Sequence, residues 1–220
     1  MPDDAYDAAV IDLLGVLAYG ELSAFERLCA DAALAPSLDD KAEVAAMACA
    51  EFGHFQQLRT KLIDLGVSAE DAMRPFVAPL DAFHASTAPA DWLEGLVKAY
   101  VGDGIAADFY REISILLDDE NQALVLAVFA DTGHSAFVVS RVRSAIDVDP
   151  RVAGRLALWG RRLMGEALSQ AQRVAAERDA LAGLLAGGSG GGMDLVELGR
   201  MFTRITEQHT KRMAALGLAA

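Results

Sequence analysis

From Ala5 to about Ala33, apolar residues recur at intervals of three and four, with Leu14, Leu17, Ala18, Ala24, Phe25 and Leu28 on one face and Glu21 among them. This is the period of an α-helix with one side turned inward. The run stops before Pro36, and a second begins after Ser37, where Asp39 and Asp40 suit a first helical turn. Val44, Met47, Ala48, Phe55, Leu58 and Leu62 share its inner face with Glu51 and His54 as far as about Leu65, and Gly66 closes it. Between Val67 and Ala90 the pattern weakens around Pro75, Pro79 and Pro89, so a long connection with room for one short helix is expected.

A third helical pattern runs from about Asp91 to Leu116 and ends in the tight turn Leu117-Asp118-Asp119. Asp119 with Gln122 resembles a capping box opening a fourth helix to about Ala145. Asp149-Pro150 reads as a cap and first-turn proline for a long fifth helix to about Leu185. The glycine run 187–192 reads as a flexible link, and a sixth helix carries Leu195, Leu198, Phe202, Ile205, His209, Met213 and Leu216 on one stripe. Two helical hairpins joined by a long crossover, with two packing helices after them, predict an all-α four-helix bundle. The expectation is a single domain over 1–220, its bundle at about 5–145 and its C-terminal packing helices at about 150–218.

Composition changes this picture in three places. The 220-residue chain is 53% hydrophobic, yet no stretch reaches the ~18 uninterrupted apolar residues of a membrane span, so the excess is assigned to buried helix faces and no membrane partner is expected. The start MPDDAYDAAV lacks the basic and apolar regions of a signal peptide, which makes a cytoplasmic location the expectation, and with it reduced, buried thiols at Cys29 and Cys49. A net charge of −13 argues against general nucleic-acid binding, but the segment from Arg141 to Arg178 holds eight Arg, no Lys and four acids. That segment is either the solvated face of a long helix or a patch for a phosphate-bearing partner.

Chemistry is concentrated on the inner faces. Glu51-x-x-His54 on the second helix and Asp131-x-x-His134 on the fourth each place a carboxylate and an imidazole on one side of a helix, within reach of one ion. Acids buried on an apolar stripe call for a partner, which a metal supplies. Glu21 and Glu51 are about equally far from the turn near Pro36, so their heads should meet at one height. In the second hairpin the matching acid is Asp108 or Asp103. The tilt of side chains toward the helix N-terminus favours Asp108, whereas Gly102-Asp103 echoes Gly20-Glu21.

One acid from each of two helices and an acid-x-x-His from each of the other two resembles the ferritin-like di-iron carboxylate superfamily. Helix order, the long second connection and the stretch GIAADFYREI look most like the tRNA-(2-methylthio-isopentenyl-adenosine) hydroxylase-like proteins. The resemblance implies two Fe ions, or Mn, held by Glu21, Glu51, His54, Asp108 (or Asp103), Asp131 and His134, with O2 as co-substrate. It implies an oxygen-dependent hydroxylase or oxidase of tRNA-modifying type, a reductase as electron donor and tRNA as a candidate partner through 141–178. The alternatives are a ferritin-like iron-binding protein without oxygenase activity and a metal-free helical interaction module. A homodimer through the last two helices is a further expectation. Asp in place of Glu on the third and fourth helices departs from the usual pattern.

Tyr19, Tyr100 and Tyr110 are candidates for the neighbourhood of the metals, although helix-face aromatics are more often core. His84 and His209 read as packed or solvent-facing. Glu166 and Gln170 share a stripe with Trp159 and Leu163, which makes them candidates to line a pocket. The glycine run lacks a preceding strand and a following Lys-Ser/Thr, so it is no phosphate loop.

Overall fold

The computed structural model describes residues 2–130, 134–186 and 193–220. Among these every regular element is helical: α1 (Pro2–Ala32), α2 (Leu38–Asp64), α3 (Ala69–Ser86), α4 (Trp92–Ser114), α5 (Asp119–Val128), α6 (His134–Val148), α7 (Arg151–Glu177), α8 (Asp179–Ala186) and α9 (Leu195–Ala215). The all-α expectation holds. Asp131 and the glycine run 187–192 lie outside the described residues.

Helices α1 and α2 form the first hairpin. Ser37 caps α2 by accepting the Asp40 amide at 3.1 Å, and Gly66 at φ 74° provides the left-handed residue that ends it. The crossover is not irregular but an 18-residue helix with Pro75 and Pro79 inside it. Ser68 caps it, and Ala72 and Phe76 bury against α1. Packing on this inner face outweighs the backbone bonds the prolines remove. Gly15 of α1 makes the close approach: a Cβ there would stand 2.3 Å from the Ala72 carbonyl oxygen.

The fourth helix of the bundle is divided. Asp118, not Asp119, caps α5, accepting the Asn121 amide at 2.9 Å, and the helix closes at Phe129. A new helix opens at His134. The long fifth helix is likewise interrupted, at Arg178, whose guanidinium reaches back to the buried Asp12 of α1 and over the ring of Phe76. Helices α1 and α4 run antiparallel: Tyr6 near the start of α1 donates to Asp118 beyond the end of α4, while Asp31 packs on Gly95 at the other end.

Helix α1 is apolar and long enough to cross a membrane by composition, but 61% of its most apolar window is buried inside the bundle. The buried side chains form two clusters. One gathers Leu28, Val44, Met47, Val97, Val101, Leu156, Met201 and Met213. The other gathers Leu13, Leu17, Leu58, Leu62, Phe76, Ile113 and Val125. Along α1 and α2 the seam between them falls at residues 21 and 51–54, where the acids and histidine stand. Both cysteines are exposed, contrary to expectation. They sit one position off the stripes made by Leu28 and Ala32 and by Met47 and Ala48.

Candidate metal centre

Helix period carries Glu21 and Glu51 inward at one height, and one turn later His54 follows Glu51 on the same face. The structure brings these three together. His54 Nδ1 is 3.3 Å from Glu21 Oε2 and 3.5 Å from Glu51 Oε2, and one donor atom from each residue falls within 4.8 Å of the others.

The electrostatics are those of crowded acids. Burial pushes the Glu21 carboxyl well above the ordinary range, and the hydrogen bond with His54 only partly offsets it. For Glu51 burial acts in the same direction, but hydrogen bonds with His54 and Glu21 outweigh it and the carboxyl lies lower than usual. His54, hydrogen-bonded by Glu21 and then by Glu51, is raised to about 10 and so holds a proton between two carboxylates at neutral pH. Asp103, on α4, is raised to about 7 by burial and by the charge of Glu51. The Asp103 side chain is exposed where it lines a cavity that is open to solvent, although protein atoms crowd around its carboxyl.

Asp108 is engaged elsewhere. Arg212 of α9 donates to its carboxylate and to the Gly104 carbonyl oxygen, and Arg111 lies at 3.6 Å on the other side. Arg212 fits only because residue 104 is glycine, since a Cβ there would stand 2.1 Å from its Nε. His134, at the start of α6, lines the same cavity and adds to the pull on Glu51. Asp131 is outside the described residues, so its place in the cluster is left to the function proposed below.

The cavity is about 490 Å³, within the range of small-molecule sites. Glu21, Glu51, His54, Asp103 and His134 stand in its wall. Beyond them it is lined by Leu13, Leu17, Ile113, Phe129 and Leu181. Tyr110 stacks on Phe129 with ring centroids 5.3 Å apart, and burial, then the charge of Glu21, raises its phenol so that it stays protonated. Tyr19 points elsewhere, donating to Asp81 at 2.7 Å. Gln170 also lines the cavity, its Nε2 buried without a partner among the described residues, whereas Glu166 accepts from Ser86. His84 lines it with Nε2 3.1 Å from Ser23 Oγ, and His209 is packed away on α9 with neither ring nitrogen partnered.

Among the described residues Glu21, Glu51 and His54 can hold a metal ion, and Asp103 and His134 stand in the wall of the same cavity. The proton that His54 holds is what a metal would replace. Oxygen and imidazole donors suit iron or manganese.

A family of ferritin-like domains from actinomycetes matches residues 4–188. The chain belongs to this ferritin-like family. Among solved structures the ferritin-like chain is similar to "Protein 19 with aldehyde deformylating oxidase activity from Synechococcus", with a TM-score of 0.72 over 98% of this chain and 93% of that one. Sequence identity between the two is 22%, a likeness of fold. No curated protein matches the sequence.

Proposed function

We propose that this ferritin-like chain is a di-iron oxidase or oxygenase acting on a small, largely apolar substrate. One observation carries the reading: the cluster of Glu21, Glu51 and His54 opens, with Asp103 and His134, into a cavity of about 490 Å³ walled mainly by aliphatic and aromatic side chains. The oxidase named for the similar fold supports it. Glu21, Glu51 and Asp103 would give carboxylate oxygens and His54 and His134 imidazole nitrogens, with Asp131 as the remaining acid. Asp103 is preferred to Asp108, whose carboxylate is already held by Arg212 and Arg111. Two iron ions, or manganese, would supply activation of dioxygen with electrons from a reductase.

The chain's own part is placement and shielding. The two apolar cores above and below hold the carboxylates at one height, and the cavity wall excludes water from a bound chain. Tyr110 remains a neutral hydroxyl beside Glu21. Hydroxylation of a tRNA base would need free surface cations. Of the eight Arg in 141–178, Arg141, Arg151, Arg155 and Arg178 are paired with Asp40, with Asp149, with Asp91 and Glu94, and with Asp12, so acids neutralise half of them. A small molecule therefore stands ahead of tRNA.

The test is oxidation of straight-chain aldehydes of graded length by iron-loaded protein under air with a chemical reductant, followed by product analysis. Turnover that is lost in Glu51→Ala is expected. Iron uptake without any product from aldehydes, alcohols or alkanes would leave iron binding without oxygenation as the better reading.

A further inference from the structure

The cavity is not uniform along its length. On α1 it is lined in order by Leu13 and Leu17, then Glu21, then Arg27 and Asp31; on the antiparallel α4 the order is Ile113, Asp103, Lys98. One end is largely apolar, its cation Arg111 donating to the Phe129 carbonyl oxygen and lying beside Asp108; the acid and histidine cluster is in the middle, with Arg212 held by Asp108; and the other end carries Lys98 and Arg27. At 1.5 Å per residue, Arg27 is roughly 9 Å along the axis from Glu21, and Lys98 roughly 7 Å from Asp103.

Lys98 is an unusual residue for such a wall. It is 9% exposed, and of its three donors one is taken, by the Thr87 carbonyl oxygen at 2.8 Å, with the Phe83 ring 5.7 Å away. Buried lysines are ordinarily paired, yet no carboxylate lies within ion-pair distance of Lys98 or of Arg27 among the described residues. Asp31 is felt by both but is packed against Gly95, where a Cβ would come within 3.0 Å of its carboxylate. It offsets one positive charge of the two. His84 adds none at neutral pH, being lowered to about 4 by burial and by Lys98 and Arg27, whereas Lys98, lowered to about 8 by burial, remains largely protonated. Arg27 is exposed and so stands where this end meets solvent.

We propose that the cavity binds an amphipathic monoanion, a straight-chain carboxylate whose head is held by Lys98 with Arg27 at the mouth and whose apolar chain runs past the acid and histidine cluster toward Leu17, Ile113 and Phe129. The inference rests on the oxidase reading only for the role of that cluster, since the anion site itself needs no metal. It deepens that reading by assigning the substrate class and the position of attack. The head is anchored away from the cluster, so the carbon nearest the cluster lies inside the chain, several bonds from the carboxylate.

The experiment is calorimetric titration of the metal-free full chain with decanoate and, separately, with decan-1-ol, both below aggregation. Decanoate is expected to bind about tenfold or more tightly than the alcohol, as a charge-assisted contact implies. Lys98→Met, which keeps an apolar stem in the wall, and Arg27→Gln, at an exposed position, should each weaken decanoate and leave decan-1-ol within about twofold. Glu51→Ala, which abolishes the metal reading, should keep the preference for decanoate. Equal affinity for the two probes, or decanoate binding unchanged in both cation variants, would overturn the proposal whether or not the protein binds iron. Absence of iron with an intact decanoate preference would overturn the oxidase reading alone.

Discussion

Replacing Glu21 by Leu should make the metal-free protein more stable and the metal-loaded protein less so. Glu21 is 5% exposed, and it faces a second carboxylate as well as His54. Removing one partner of a buried ion pair is ordinarily destabilising, but His54 keeps Glu51 at 3.5 Å and the carboxyl removed is one whose charged form burial and Glu51 disfavour, so the change is expected in the range of about 1–4 kcal/mol by which apolar replacement of buried ionic groups stabilises. At roughly 2.1 cal/mol/K per residue, unfolding of a 220-residue chain carries an entropy near 0.46 kcal/mol/K, so each kcal/mol shifts Tm by about 2 °C. Glu21→Leu should therefore raise the Tm of metal-free protein by roughly 2–8 °C. Metal at about a hundred times its dissociation constant should add about 2.7 kcal/mol to the wild type, roughly 6 °C, and little or nothing to the variant. Paired thermal melts with and without ferrous iron, under anaerobic conditions, read both effects. A variant that melts below wild type without metal, or that gains as much from iron, would refute the reasoning.

Three other outcomes test parts of the framework. Gly15→Ala must push α3 away from α1, because its Cβ would meet the Ala72 carbonyl oxygen at 2.3 Å, and should cost about 1–3 kcal/mol or more in urea unfolding. His209 is 4% exposed with neither ring nitrogen partnered among the described residues, so His209→Leu should stabilise by about 1–2 kcal/mol at neutral pH. Burial lowers the pKa of His209 in the folded state, so its penalty grows as pH falls below the unfolded value of about 6.5, and the variant should lose less stability than wild type between about pH 6.5 and 5. Asp118 caps α5 and accepts from Tyr6 at 2.8 Å, and the Asn121 amide holds its carboxyl below the usual range. Its contribution, about 1 kcal/mol, is present above the unfolded pKa of about 3.9 and fades as pH falls through the lower folded value. Asp118→Ala should therefore converge with wild type in strongly acidic melts.

What was legible in the sequence follows physical locality. Glu21, Glu51 and His54 could be placed together because two regular helices joined by a short turn carry their periodicity directly into space. The choice between Asp103 and Asp108 could not be made that way. The preference for Asp103 in the proposed centre rests on Arg212, more than a hundred residues later, which reaches α4 through the gap at Gly104 and donates to Asp108. Pro75 and Pro79 weakened the pattern so that only one short helix was expected in the crossover, whereas the burial of Ala72 and Phe76 against α1 sustains 18 helical residues. The division of the fourth helix after Phe129 is marked in the sequence by nothing stronger than Gly133, just ahead of the next helix. Nothing in the local sequence marks Lys98 and Arg27, because only the antiparallel packing of α1 on α4 puts them at one end of a cavity. The thiols of Cys29 and Cys49 were assigned inward from composition, while the stripe itself, one position away, leaves them outside.

The central claim is that the acid and histidine cluster holds a two-metal centre, and elemental analysis of protein reconstituted with ferrous iron and freed of excess metal tests it most directly. About two iron ions per chain are expected, falling below about half an ion in Glu51→Ala. Fewer than one iron per chain, unchanged in Glu51→Ala, would contradict it.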